Sequence, residues 1–273
     1  AIASSNYGFG VIGAVPVTGG VELLSMGSQT GAFTTANTNF VLSDNKLVEI
    51  LQSPYQRFGL NSAAPVLIAN ANVKFTGGTA ADVFSDPNGT YYMGRWSGGQ
   101  IDVTDLATTS PMAPFADMLG VTSAHWLIGL TPGSLAGTSI NNVQQLYGQA
   151  SYALAAATHP TDGFGNVGTL NSATLAADFS AQTVDSNLSL SFSSADPANL
   201  STRNLSLAAA AKMQIQKSGF GAAVIAPQGI SVPGISGLTS VSCSGADCAA
   251  GGYIGTIGGG FGGTSSGAVG TGV

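Results

Sequence analysis

A side-chain alternation of period two constrains this chain more than any other feature. Residues 183–193 read TVDSNLSLSFS. Val184, Leu188, Leu190 and Phe192 fall on one face, and Asp185, Asn187, Ser189 and Ser191 on the other, the signature of a half-buried strand. Residues 204–216, NLSLAAAAKMQIQ, repeat the pattern: Leu205, Leu207, Ala209, Ala211, Met213 and Ile215 stand against Ser206, Lys212, Gln214 and Gln216. Propensity alone would make the alanine run helical, but the alternation at both ends predicts a strand. Further strands are expected over 100–104, 125–130, 149–156 and 172–179. Turn signals separate them: DPNG at 86–89, TDGFGN at 161–166 and the Pro/Gly cluster at 227–237. NFVLSDNKLVEI reads as a hairpin that turns at 43–46. Helical signals are thin, with single turns expected within 56–64 and 138–146. The stretch 108–119, with Pro111 and Pro114, reads as an excursion from the sheet. The expected fold is all-β, an antiparallel up-and-down β-barrel of about eight strands. It divides into an N-terminal β-rich extension, 1–75, and a barrel domain, 76–273.

Composition narrows the function. Of 273 residues only 7 are Lys or Arg and 13 are Asp or Glu. That 7% charge compares with about 25% in an ordinary soluble domain. A net charge of −6 argues against binding nucleic acid by phosphate neutralisation. No apolar run approaches the roughly 18–20 residues of a spanning helix, so no transmembrane segment is expected. The exterior must be built from Ser, Thr, Asn, Gln, Gly and Ala, and such a surface repels its neighbours weakly. The start at Ala1, without Met or an apolar signal, fits a mature exported chain. Cys243 and Cys248, in CSGADC, are expected to form a disulfide across a hairpin, as in an oxidising compartment. The localisation read from this is extracellular or at a bacterial cell surface.

The N-terminal run NYGFGVIGAVPV sets large residues, Tyr7, Phe9, Val11, Val15 and Val17, against mostly small ones. The C-terminal run is glycine-rich and tolerates close backbone approach. Either end pairs inside its own barrel or adds to the open edge of a neighbouring copy. In the second case, Tyr7, Phe9, Val11, Val15 and Val17 form the assembly strand.

Several catalytic and binding motifs fail on context. Gly8–Gly13 has dinucleotide spacing but lacks the preceding strand and following helix. Gly263-Thr264-Ser265-Ser266-Gly267 has nucleophile-elbow spacing, yet no acid or His follows it. His125 sits in an apolar run beside Trp126 and reads as a buried or barrel-facing side chain. His159 precedes Pro160 and reads as solvated. Asp82 with Asp86, and Asp102 with Asp105, have the oxygen chemistry of Ca²⁺ ligands, but turn stabilisation explains them better. No catalytic residue, metal site or cofactor is expected. Tyr91, Tyr92, Arg95 and Trp96, in YYMGRWSGG, form a candidate binding face; the competing role for Arg95 is structural, with an internal acid partner. Asn88, Asn187, Asn199 and Asn204 open N-x-S/T sequons.

FTGGTAADVFSDPNGTYYMGRWSGG (75–99), AHWLIG (124–129), GQASYALAAATHPT (148–161), GTLNSATLAADFSAQTVDSNLSLSFS (168–193) and the CSGADC…GGYIGTIGGGFGG ending together resemble one barrel domain of bacterial surface proteins. It is similar to the C-terminal barrel of transferrin-binding and factor H-binding surface lipoproteins, and to barrels behind iron-dicitrate-regulator-like domains. The resemblance spans roughly residues 75–273 and implies an eight-stranded, non-catalytic surface barrel. Met93 stands where the family would have Trp, no lipobox Cys opens the chain, and the charge is lower than in the host-protein binders. Two readings follow. One is a non-enzymatic structural subunit that assembles with copies of itself in a surface layer or filament. The alternative is a monomeric surface module that captures a host protein, an iron or haem complex, or a glycan.

Overall fold

The computed structural model describes residues 2–3, 7–17, 20–27, 39–59, 66–87, 91–106, 116–120, 123–130, 146–162, 165–193, 204–216, 219–224, 237–248, 255–262 and 269–272. Within them every regular element is a β-strand, and all paired strands are antiparallel. The chain forms two compact units, one of residues 1–130 with 161–165 and one of residues 131–160 with 166–273.

The amino-terminal unit holds β1 (Ile2–Ala3), β2 (Tyr7–Val17), β3 (Gly20–Gly27), β4 (Asn39–Ser43), β5 (Lys46–Gly59), β6 (Val66–Thr76), β7 (Thr79–Ser85), β8 (Tyr91–Ser97), β9 (Gln100–Asp105), β10 (Ala116–Gly120) and β11 (Ser123–Leu130). Its sheet runs β10-β9-β6-β5-β3-β2-β11-β8-β7, with β4 on β5 and β1 on β4. The expected hairpin at 43–46 is present. Asp44 and Asn45 have φ of 50° and 62°, and two positive φ values make the tight turn that matches strand twist. Residue 75, the expected domain boundary, lies inside β6, where Phe75 pairs with Ile101 of β9. The division falls after Leu130 instead, because β11 returns to pair with β2 and ties 76–130 to the first strands. Residues 56–59 are strand rather than helical turn, held by β3. Residues 116–119 are strand rather than loop, held by β9.

Alternation supplies this unit's core: Phe40, Leu47, Ile50, Val73, Ile101, Val103, Trp126 and Ile128 are at most 2% exposed. The sheet curls over that core. Trp96 of β8 stacks on Phe75 of β6, and its Nε1 donates to the Leu47 carbonyl of β5 at 2.7 Å. Neither β5 nor β6 is a sheet neighbour of β8. Gly94 is required beneath Trp126, where a Cβ would lie 2.5 Å from the indole ring.

The carboxy-terminal unit holds β12 (Gln149–Tyr152), β13 (Thr169–Asp178), β14 (Thr183–Ser193), β15 (Asn204–Gln216), β16 (Gly219–Val224), β17 (Gly237–Gly245), β18 (Gly255–Gly262) and β19 (Val269–Gly272). These eight strands make one sheet, β12-β13-β14-β15-β16-β18-β19, with β17 also on β15. The alanine run lies in β15, paired throughout with β14. Its inward residues Ala211, Met213 and Ile215 join Val184, Phe179 and Phe261 in the core. Phe261 of β18 contacts both Phe179 and Tyr152, with centroids 5.3 and 5.9 Å away. The strand expected over 149–156 ends at Tyr152. The expected helical turn within 138–145 lies outside the described residues.

Candidate functional site

A polar cluster forms where β7, β8 and β11 lie side by side in the amino-terminal unit. Register places His125 opposite Arg95. Arg95 is 6% exposed, and a guanidinium that deep needs a partner. Asp82 of β7 provides one, its Oδ2 accepting from Arg95 Nε at 2.9 Å. From the stretch between β12 and β13, outside any strand, Thr161 Oγ1 lies 2.7 Å from His125 Nε2 and 2.6 Å from Ser123 Oγ. Burial, reinforced by the Arg95 charge and opposed by Asp82, lowers the His125 pKa to about 4. The imidazole is therefore neutral near pH 7. A neutral imidazole beside a hydroxyl is the pairing of a base and a nucleophile. Here Ser123 is 2% exposed, and what the arrangement does is fasten Thr161 to β11.

The sequence did not single out Ser123 or Thr161. Thr161 is 36 residues from His125, and no periodicity links the two. Asp82 was legible only as half of a carboxylate pair. In the fold it holds Arg95, while Asp86 Oδ1 accepts from the Tyr91 N–H at 2.7 Å and shapes the turn. Among the described residues no group of three or more His, Cys, Asp or Glu side chains is placed to hold a metal ion.

The candidate binding face does not exist as an exposed surface. Tyr91, Arg95 and Trp96 are 7%, 6% and 8% exposed, and Tyr92 is half-buried. The aromatic–basic run alternates into the core on one face and into the Asp82 contact on the other. The assembly strand also needs correction. Tyr7, Phe9, Val11, Val15 and Val17 lie in β2, which is paired along one edge with β3 and along the other with β11. Val11 is fully buried. A strand with both edges filled cannot be donated to a neighbour without dismantling its own sheet.

Cys243 and Cys248 form the expected disulfide, with Cα atoms 5.9 Å apart. It closes the turn after β17, where Asp247 Oδ2 accepts from the Asn204 N–H at 2.5 Å. Replacing both cysteines with serine should cost about 2 kcal/mol, the loop-closure entropy of so short a ring. Urea unfolding of the double variant measures this, and an unchanged midpoint would show that the turn is held by Asp247 alone. Asn187 and Asn204 are exposed on β14 and β15, whereas Asn88 and Asn199 lie outside the described residues, as does the 263–267 motif. His159 is exposed.

No family model, no curated protein and no solved structure matches this chain.

Proposed function

We propose that this chain is a non-enzymatic structural protein of an exported, extracellular location, and that it assembles with copies of itself. One observation carries the reading. The outward face of β13, β14, β15 and β17 is a neutral lattice of small side chains. Thr174, Asn187, Ala210 and Ser240 lie in register across it, as do Ser172, Ser189, Ala208 and Ser242. Lys212 and Asp185 on the same face lie 3.8 Å apart and offset each other's charge. Asp178 is taken up by the Ala181 N–H and the Gln149 amide, which hold its pKa below the usual carboxylate range. Covering such a face removes little charge from water, and desolvated charge is the main cost of association. The disulfide supports an oxidising compartment. The resemblance to surface-protein barrels supports the location and the absence of catalysis.

Light scattering on the purified, oxidised, untagged chain at neutral pH, with negative-stain images of the same sample, tests the reading. Large regular particles are expected. A 27.0 kDa monomer at every concentration would overturn it.

A further inference from the structure

The segment that continues β12 in the carboxy-terminal unit is uncharged, apolar and, among the described residues, without a strand partner. β12 pairs with β13 from Gln149↔Asp178 to Tyr152↔Leu175, and there the ladder stops. The next backbone bond of the segment is the one the Gly168 N–H, just before β13, donates to the Pro160 carbonyl at 2.7 Å. Between those points Ala153–Ala157 make no backbone hydrogen bond to any described residue. Ala153, Leu154, Ala155 and Ala157 are exposed along this run and Ala156 is half-buried, so both the backbone and most of the side chains are open to a partner. Natural edges are usually blunted by Lys, Pro or a bulge. This one has none from Ala153 to Ala157. No Asp, Glu, Lys or Arg occurs anywhere between Asp117 and Asp162, a span of 44 residues. Leu154, within this segment, is one of the five large apolar side chains that stand exposed among the described residues, at 54%.

We propose that Ala153–Ala157 is a docking edge for a second copy of this chain, the same segment of each copy pairing antiparallel about a two-fold axis centred on Ala155. Charge selects this occupant. Two copies each carry −6 and repel wherever carboxylates meet, so they approach most easily where charge is absent. A neutral edge offers a charged partner nothing to select. Antiparallel self-pairing sets Ala153 opposite Ala157 and Leu154 opposite Ala156, which leaves no like charges and no bulky pair facing each other. An isologous contact of this kind is self-complementary and closes as a dimer. It supplies one joint, and a larger assembly needs a second surface. The inference rests on the self-assembly reading and names the first contact within it.

The test uses the full oxidised chain and three variants. Ala155→Cys is expected to give a disulfide-linked dimer of twice 27.0 kDa on mild oxidation, while Ser97→Cys, exposed on β8 of the amino-terminal unit, is expected to give no linked dimer under the same conditions. Leu154→Lys, at a position that packs little, is expected to weaken the dimer at least tenfold by sedimentation equilibrium with its unfolding midpoint unchanged. Cross-linking equal at positions 155 and 97, or a Leu154→Lys protein that associates like the parent, overturns the edge while leaving self-assembly standing. A parent that is monomeric at all concentrations overturns both.

Discussion

Replacing Trp96 with alanine is expected to destabilise the amino-terminal unit by about 3–5 kcal/mol, the cost of emptying a large aromatic site in a packed core. The indole is 8% exposed and lies flat against Phe75, with centroids 6.1 Å apart and planes at 1°. Its N–H is also the partner of the Leu47 carbonyl. Trp96→Phe keeps most of the ring contact and deletes that bond. It is expected to cost about 1–3 kcal/mol, the penalty for an orphaned buried acceptor. The chain has two tryptophans, and the other, Trp126, lies in the same unit with 2% exposure. Its fluorescence therefore follows this unit's unfolding in both variants. The result also decides between two roles for the aromatic run. A side chain that greets a ligand can be truncated with a stability change within about 0.5 kcal/mol. A change that small would return Trp96 to the surface, and a loss of several kcal/mol would keep it as the link between β8 and the strands it faces across the core.

What the sequence conveyed was which residues share a face. Val184, Met213 and Ile215 are buried and Asp185, Lys212 and Gln214 are exposed, as alternation predicts, because the pleat alone decides it. The Asp44-Asn45 turn was legible for the same local reason. Neighbourhood was not legible. Alternation in β2 is the same whether its edges meet β3 and β11 or another copy, so it leaves pairing within the chain and donation to a neighbour equally open. Tyr91, Arg95 and Trp96 are ambiguous in sequence because aromatic and basic residues together serve either a binding face or a core with one internal ion pair. The ambiguity was resolved by Asp82, 13 residues away, and by Leu47, 49 residues away. The end of β12 at Tyr152 was hidden too, since small apolar residues continue the pattern through 157 while the hydrogen-bond ladder does not.

Lowering the pH from 7 to 4 is expected to remove up to about 3 kcal/mol of the amino-terminal unit's stability through His125 alone, the value of a shift from 6.5 to about 4. In the unfolded chain the imidazole takes up a proton near its ordinary pKa of 6.5; in the folded chain it resists until about 4. Between those values the unfolded state binds more protons, so stability rises with pH there. The contribution is complete above about 6.5, is lost as pH falls towards 4, and changes little below that. Three features set the folded value. Burial comes first, and Arg95 on the neighbouring strand repels the charged ring, while Asp82 attracts it less strongly because its carboxylate already holds Arg95. On the opposite strand β2, Ile12 stands across from His125 and adds no charge. His125→Gln removes the titration while keeping an amide in reach of Thr161. Urea unfolding followed by Trp fluorescence at half-unit steps from pH 7 to pH 4 should show a steep loss in the parent chain and a shallower one in the variant. Parallel curves would mean that His125 takes up its proton at the same pH folded and unfolded, and that the acid sensitivity belongs to other groups, which its burial against Arg95 argues against.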